Sequence, residues 1–330
     1  MGMNEILLDM MRNGESELQE KGLMEFQCID GLEKHDEFRI PESVLNELLA
    51  DYGQRGAKPK TQIPKDELIC PADIRQKSMF YNDEENRQVA ALSDLLSVEK
   101  FTQVQERLKE KGLRSGFCCL FYGPAGTGKT ETVLQIARQT GREIFIVDMS
   151  RIRSKWVGDS EKNIKQVFNT YKALVRGSEI TPILLFNEAD GVFGKRIEET
   201  SSTDKMSNAL QNIILQEMEN LEGILIATTN LTENFDSAFE RRFLYKILFN
   251  APSAGVKAKI WKSMVEEISE EEAGRLGSEY SFTGGQIENI TRKLDVDYIL
   301  TGEAVGFDKI VSLCKEERIR KEKESKKIGF

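Results

Sequence analysis

Residues 123–131 combine glycine, lysine and threonine at a spacing that suits the binding of phosphate groups. In order they are Gly123, Pro124, Ala125, Gly126, Thr127, Gly128, Lys129, Thr130 and Glu131. The pattern is G-x-x-x-x-G-K-T, in which glycines let the backbone turn tightly and direct N–H groups at phosphate oxygens. An apolar run precedes it and a helical pattern follows, so we expect a strand, a phosphate-binding loop (P-loop) and a helix. Lys129 should contact the β- and γ-phosphates of a nucleoside triphosphate, and the Thr130 hydroxyl should ligate Mg²⁺.

A second group of polar residues follows another apolar run. Residues 183–186 read Ile-Leu-Leu-Phe and are followed by Asn187 and Glu188. A buried strand would deliver both side chains beside the phosphates, where Glu188 could act as the general base for an attacking water. Asn187 stands where P-loop enzymes usually have the Asp that supports Mg²⁺, and its amide oxygen can still bind a metal-ligated water.

The surrounding pattern predicts how these residues are positioned. Apolar runs at 117–122, 143–148, 183–186, 223–228 and 244–249 alternate with helical patterns. This alternation predicts an α/β fold, a P-loop NTPase with a parallel sheet covered by helices on both faces. Helical patterns alone follow residue 251. We therefore predict three regions: an N-terminal region with a linker and no assigned role (1–78), an α/β domain (79–250) and a small all-helical domain (251–330).

The composition narrows the classes of function. The net charge of −9 argues against a nucleic-acid-binding surface, because such surfaces cluster Lys and Arg. The single histidine, His35, excludes zinc proteases of the H-E-x-x-H kind and His-based hydrolases. The five cysteines, an odd number, and the lack of a signal segment or a long apolar run predict a cytoplasmic chain without a membrane span.

Together with Thr229-Asn230 and the run from Glu240 to Phe243, these motifs resemble the AAA subfamily of the AAA+ ATPases. The resemblance covers residues 79 to about 300. It implies a three-layer α/β domain with a helical lid, ATP and Mg²⁺ as ligands, and subunits assembled in a homo-oligomeric ring, usually a hexamer. By the same resemblance Asn230 is sensor 1, which helps to orient the water. Arg241 and Arg242 match the arginine fingers, similar to the Arg-Arg-Phe arrangement of the spastin and katanin branch, and would reach the γ-phosphate of the neighbouring subunit.

Two further segments are similar to functional segments of that subfamily. Phe282 to Ile287 resembles the lid segment, and Gly284 and Gly285 are expected to pack closely against the nucleotide. The second segment resembles the substrate-gripping pore loop and contains Lys155, Trp156, Val157 and Gly158. A ring of such indoles could grip extended polypeptide through apolar contact.

Three functions remain open from the sequence. The first is an ATP-driven machine that remodels, unfolds or threads protein substrates. The second is a motor or loader that acts on nucleic acid, against which the acidic balance and the loop around Trp156 count. The third is an ATP-gated scaffold with weak hydrolysis, which the amide at Asn187 favours.

Overall fold

The computed structural model describes residues 11–13, 15–29, 32–41, 44, 67–149, 160–195, 202–233, 235–302 and 306–325. The chain divides into two compact units, residues 1–60 and residues 61–330.

The described part of the first unit contains a short helix and a β-hairpin. Helix α1 (Glu17–Glu20) precedes strands β1 (Glu25–Ile29) and β2 (Leu32–Arg39), which pair antiparallel with an irregularity after Phe26. Phe26 and Phe38 face each other across the hairpin with ring centroids 5.6 Å apart, a contact typical of cross-strand pairs.

The second unit is built on a six-stranded sheet with the order β3-β5-β6-β7-β4-β8. Its strands are β3 (Leu68–Ile69), β4 (Phe117–Tyr122), β5 (Ile144–Asp148), β6 (Ile183–Asn187), β7 (Ile224–Thr229) and β8 (Tyr245–Leu248). All neighbours pair parallel except β3, which runs antiparallel to β5. The predicted parallel α/β sheet is confirmed.

Helices cover both faces of this sheet. They are α2 (Asp83–Leu95), α3 (Val98–Glu110), α4 (Lys129–Thr140), α5 (Ser160–Gly177), α6 (Asp190–Phe193), α7 (Ser202–Glu219) and α8 (Ser237–Glu240). Along β4, Cys118 and Leu120 join one buried cluster, and Phe117, Cys119 and Phe121 join the other. Strand side chains alternate between faces, so a strand buried on both faces must be apolar throughout. The three-layer arrangement follows from this pattern.

The sheet begins earlier in the chain than the sequence analysis placed the α/β domain. Leu68 pairs with Phe145, so residues 67–78 contribute a strand to the sheet edge. The following backbone lies along α4, where the side chains of Gln135 and Arg138 donate hydrogen bonds to its carbonyl oxygens. The region predicted as 1–78 therefore contains a segment, residues 67–78, that is part of the second unit.

The lid is helical, as predicted. It consists of α9 (Ala254–Met264), α10 (Glu270–Glu279), α11 (Gly284–Thr301) and α12 (Phe307–Ser325). Capping boxes at Ser269 with Glu272 and at Thr283 with Gln286 fix the starts of α10 and α11, because they satisfy backbone donors that a helix N-terminus leaves unpaired. Trp261 is fully buried in the lid's own core cluster.

Tyr171 joins a helix to two strands from inside the core. Its side chain is fully buried. The hydroxyl lies 2.8 Å from the carbonyl oxygen of Pro182 and 2.9 Å from that of Ile224, and it accepts a 2.6 Å hydrogen bond from the Ile224 N–H. Groups buried this deeply have no water to replace a lost partner.

Tyr171→Phe should therefore lower the free energy of unfolding by about 1–3 kcal/mol, because it leaves buried backbone groups without their hydroxyl partner. Urea unfolding followed by circular dichroism measures the change. Tyr245→Phe is the matched control, since the Tyr245 side chain is 38% exposed. This substitution should change the free energy of unfolding by no more than about 0.5 kcal/mol. Equal stability of the two variants would contradict the role given to the Tyr171 hydroxyl.

Candidate functional site

A cleft of about 400 Å³ opens between the sheet and the lid. It lies where β4, β6 and β7 end, which is the edge at which open α/β sheets bind ligands. The P-loop forms its floor, and helices α9 and α11 of the lid contribute the opposite wall.

Glycine geometry shapes the floor of the cleft. Gly123, Gly126 and Gly128 have φ angles of 135°, 75° and 93°, a region that side chains disfavour. A Cβ on Gly123 would lie 2.1 Å from the carbonyl oxygen of Phe249. The loop therefore needs glycine both to turn and to pass beside β8. Gly128 leads directly into α4, whose N-terminus carries the partial positive charge that phosphate groups favour.

Lys129 is held inside the loop by oxygen atoms. Its Nζ donates hydrogen bonds to the carbonyl oxygens of Gly123 and Pro124, both at 2.7 Å, and to Oδ1 of Asn230 at 3.0 Å. The residue is 7% exposed. Burial lowers the pKa of the ammonium to about 8, and the negative charge of Asp190 opposes this shift. Its partners among the described residues are neutral oxygens, and phosphate oxygens entering the cradle would supply an anionic partner.

Asn187 links the P-loop to the neighbouring strand. Its Oδ1 accepts hydrogen bonds from the Thr130 hydroxyl at 2.7 Å and from the Thr228 hydroxyl at 2.9 Å. Two neutral oxygens, from a hydroxyl and an amide, thus lie side by side at the end of β6. Oxygen donors of this kind fit Mg²⁺, which keeps most of its waters and takes few protein ligands.

Glu188 has a strained backbone. Its φ is 54°, and among the described residues it alone is a non-glycine residue with positive φ. The Glu188 N–H donates a 3.3 Å hydrogen bond to the Thr228 hydroxyl, and the side chain is exposed to the cleft. A backbone of this kind costs about 1–3 kcal/mol and is characteristic of functional sites. The carboxylate of Glu188 is therefore accessible from the cleft.

Asp190 orients Asn230. Its carboxylate accepts hydrogen bonds from the Thr229 hydroxyl and the Asn230 N–H, both at 2.7 Å, and from the Asn230 Nδ2 at 3.1 Å. The amide is thereby turned so that its oxygen faces Lys129. The sequence analysis did not assign Asp190 a role. The available signal was its position at the start of α6, three residues after Asn187 and at the same sheet edge.

Apolar residues line part of the cleft, which we call its apolar half. Met79 and Phe80 come from the segment before α2, and Val256, Ile260 and Met264 come from α9. Phe80 also packs against the lid core. An apolar wall beside a phosphate cradle is suited to an aromatic base. Sequence reasoning missed this wall because its residues are scattered and form no motif.

The lid glycines contact the P-loop itself. The Gly285 N–H donates a 2.9 Å hydrogen bond to the carbonyl oxygen of Gly126. A Cβ on Gly285 would lie 3.2 Å from the Gly126 Cα, and one on Gly126 would lie 2.7 Å from the Thr283 hydroxyl. Gly285 and Gly126 thus permit a close approach of two backbones at the cleft, whereas a Cβ on Gly284 would make only ordinary contacts, the nearest 3.6 Å from the Gly126 carbonyl oxygen.

The two arginines have different environments. Arg242 donates hydrogen bonds to the carbonyl oxygens of Leu215 and Ala238 and forms a 2.7 Å ion pair with Glu219. Arg241 is exposed, and its Nε bonds the nearby Ser237 carbonyl at 3.2 Å.

Arg241 lies at the opposite end of the sheet from the cleft of its own chain. It precedes β8, and the Leu244 N–H bonds the carbonyl oxygen of Cys118, near the start of β4. The P-loop follows Tyr122, at the other end of that strand. The stretch of β4 from Cys118 to Tyr122 separates the two ends by about 13 Å, at about 3.3 Å per residue. Lys155, Trp156, Val157 and Gly158 lie outside the described residues.

Comparison with known proteins identifies a family of ATPases to which part of the chain is similar. Residues 119–251 match the family model described as "ATPase family associated with various cellular activities (AAA)". The chain is 29% identical over 169 residues to Fidgetin-like protein 1 of Drosophila melanogaster, covering 49% of this chain and 31% of that protein. It is 30% identical over 155 residues to a probable spastin homolog of Brugia malayi, covering 45% and 32%.

A bacterial relative matches over more of its length. An uncharacterized AAA family ATPase of Sinorhizobium fredii is 28% identical over 253 residues, covering 73% of this chain and 72% of that protein. By contrast, the chain spans about a third of the length of the fidgetin-like and spastin relatives.

Among the described residues, none of the helices combines the length and apolar character that a membrane span requires.

The lowered pKa of Lys129 predicts a pH dependence of nucleotide binding. A free lysine is protonated up to about pH 10.5, whereas this ammonium loses its proton above a pKa of about 8. Bound phosphate favours the protonated form, so above pH 8 binding should take up protons and the affinity for ADP should fall by up to about tenfold per pH unit. Calorimetry at pH 7 and pH 9, in buffers of different ionisation enthalpy, measures both effects. Lys129→Arg keeps its charge at both values, so its affinity should not vary; an equally flat profile for the parent protein would contradict the prediction.

Proposed function

With residues 119–251 forming an AAA ATPase domain, we propose that the chain binds ATP with Mg²⁺ and hydrolyses it to ADP and phosphate. The observation that carries the proposal is the chain of contacts from Lys129 through Asn230 to Asp190, which ties the phosphate cradle to the ends of β6 and β7. Lys129, Asn230 and the exposed carboxylate of Glu188 line one cleft. Phosphoryl transfer depends on positioning and charge stabilisation of this kind.

Each residue has one task in the proposed reaction. The glycine cradle and Lys129 hold the β- and γ-phosphates, and Thr130 with Asn187 holds Mg²⁺, which neutralises phosphate charge when bound. Glu188 takes a proton from the water that attacks the γ-phosphorus, and Asn230 orients that water. The bond between the γ-phosphorus and the bridging oxygen breaks, and the electron pair stays on ADP.

Asn187 supports a second candidate, an ATP-gated scaffold with weak hydrolysis. Its amide supplies no negative charge to the metal, and its oxygen already accepts from two hydroxyls. Weaker metal support slows phosphoryl transfer more than it weakens nucleotide binding. The turnover rate of the wild-type protein at saturating Mg²⁺ separates the two candidates.

We further propose that the chain assembles as a homo-oligomeric ring, a hexamer as in the AAA subfamily. An exposed arginine at the opposite end of the sheet from its own cleft can serve only a neighbouring subunit, so Arg241 is the finger that we assign. Arg242 already has three partners, which suits it to holding the segment in place.

Protein is the proposed substrate, and the cytoplasm the proposed location. The net charge of −9 disfavours nucleic acid, and Trp156 in a pore loop would offer side-chain-independent apolar grip. The described part of the chain contains four free cysteines, which is typical of a reducing compartment. They are Cys70, Cys118, Cys119 and Cys314.

Arg241→Ala should keep ATP binding and lower hydrolysis by about 10³-fold or more, because the arginine stabilises charge on the transferring phosphoryl group. Mixing this variant with Glu188→Gln, itself inactive, should restore activity: a site with intact Glu188 then receives Arg241 from its neighbour. Arg114→Ala is the control, since it removes an exposed arginine that pairs with Glu219 at 3.3 Å and leaves the ion pair of Glu219 with Arg242 in place. Failure of the mixture to recover activity would contradict a finger acting between subunits.

Trp156→Ala distinguishes a protein-gripping loop from a core position. If the indole grips substrate, the melting temperature and basal ATP hydrolysis should stay unchanged while stimulation by unfolded protein is lost. A core tryptophan would instead cost about 3–5 kcal/mol on truncation, and folding and ATPase would fall together. The measurements are a thermal melt and an ATPase assay with unfolded protein, single-stranded DNA or duplex DNA. Stimulation by DNA alone would favour the nucleic-acid motor.

A further inference from the structure

Glu85 is a buried carboxylate at the junction of the sheet domain and the lid. It lies in the first turn of α2 and is 5% exposed. Its oxygens accept hydrogen bonds from the backbone N–H of Asn82 at 3.2 Å and from that of Asn250 at 2.7 Å. The side-chain amides of the same two residues donate to it at 3.1–3.2 Å. The carboxylate thus gathers donors from two segments far apart in sequence.

Asn82 holds the same junction from the other side. Its Oδ1 accepts a 2.9 Å hydrogen bond from the Ser253 N–H, and its Nδ2 lies 3.3 Å from the carbonyl oxygen of Ala251. Residues 250–253 connect the end of β8 to the start of α9. The three residues Asn82, Glu85 and Asn250, the hinge clamp, therefore hold the linker from which the lid departs.

The hinge clamp also lies beside the apolar half of the cleft. Asn82, Glu85 and Asn250 line the cavity. Immediately before the clamp, Met79 and Phe80 form one apolar wall, and immediately after it α9 contributes the other wall. The spacing of the two walls therefore depends on how firmly the linker is held. The phosphate-binding residues follow β4, β6 and β7, and the hydrogen bonds of Lys129 and Thr130 are made within the sheet domain.

We propose that Glu85 is a positioning residue, which fixes the lid linker through the hinge clamp and thereby sets the base-binding half of the cleft. The inference rests on the proposed binding of ATP and adds how the chain holds the base. Loosening the clamp should weaken contacts to the base and leave contacts to the phosphates intact.

Glu85→Gln tests the proposal, because it replaces one acceptor oxygen with an NH₂ group that must face N–H donors. The two probes are ATP and inorganic tripolyphosphate, which has the phosphates but no base. We expect the dissociation constant for ATP to rise about tenfold, equivalent to the loss of about 1.4 kcal/mol, with tripolyphosphate affinity unchanged within twofold. In turnover, KM for ATP should rise and kcat should change less than threefold, a split that general destabilisation does not produce.

Glu84→Gln is the matched control. Glu84 lies in the same helical turn, is exposed, and pairs with Arg87 at 2.6 Å. It loses the same charge at the same helix N-terminus, so it separates the hinge clamp from the helix dipole. Its affinity for both probes should equal that of the wild type.

Asn250→Ala keeps the test valid if Glu85→Gln fails to fold. Asn250 is exposed, and its loss removes the side-chain donor to Glu85 and leaves the backbone donor. The same selective loss for ATP is expected, about threefold. Combining it with Glu85→Gln should add little, since both act through one contact network.

Equal losses for ATP and tripolyphosphate, or unchanged affinity for both in Glu85→Gln and Asn250→Ala, would overturn the role of Glu85 while leaving the proposed function standing. Wild-type protein that binds neither probe would overturn the proposed function and this inference together.

Discussion

The cleft depends on a buried cation that contacts no anion directly within the described part of the chain. The Lys129 ammonium bonds three neutral oxygens, and the carboxylate of Asp190 is linked to it through Asn230. A charge in such surroundings is stabilised less than in water, which is why its pKa falls to about 8. The arrangement favours the binding of a polyanion, because phosphate groups supply the negative charge that the neutral oxygens around Lys129 lack. A direct carboxylate partner would satisfy the lysine and repel the ligand.

The order of the strands makes this arrangement possible. β4 lies between β7 and β8, and β6 lies beyond β7. Because these strands are parallel, the P-loop and the polar residues after β6 and β7 reach the same edge. Tyr122 pairs with Thr229, so the loop after β4 and Asn230 leave the sheet at the same level. The lid completes the cleft through backbone contact at Gly126 and Gly285, where side chains would hold the two apart.

Periodicity and motif predicted the parts of the fold that depend on local sequence. The β4 boundaries, 117–122, agree with the structure, because an apolar run between a polar turn and a glycine-rich loop is typical of a buried strand. Leu68–Ile69 was missed, since two residues carry no period and pair only through tertiary contact.

Local sequence likewise predicted some residues of the candidate site and not others. The sequence predicted the glycines, Lys129 and Glu188 because their spacing is a motif. The contact of Glu85 with Asn250 and the packing of Phe80 against the lid could not be predicted, because these partners are more than 150 residues away in the chain.

The placement of Arg241 constrains any assembly that uses it. A cleft at one end of the sheet and an arginine at the other end are different surfaces of one chain. A contact that joins them is therefore heterologous, and such contacts either close into rings or continue into filaments. Arg242 bears on this choice, because its bonds to α7 and α8 fix the segment that carries Arg241. With a fixed angle at each contact every subunit adds the same rotation, and the size of that rotation decides between a closed ring and a helical filament. The intrasubunit bonds of one arginine thus determine how the other can be presented.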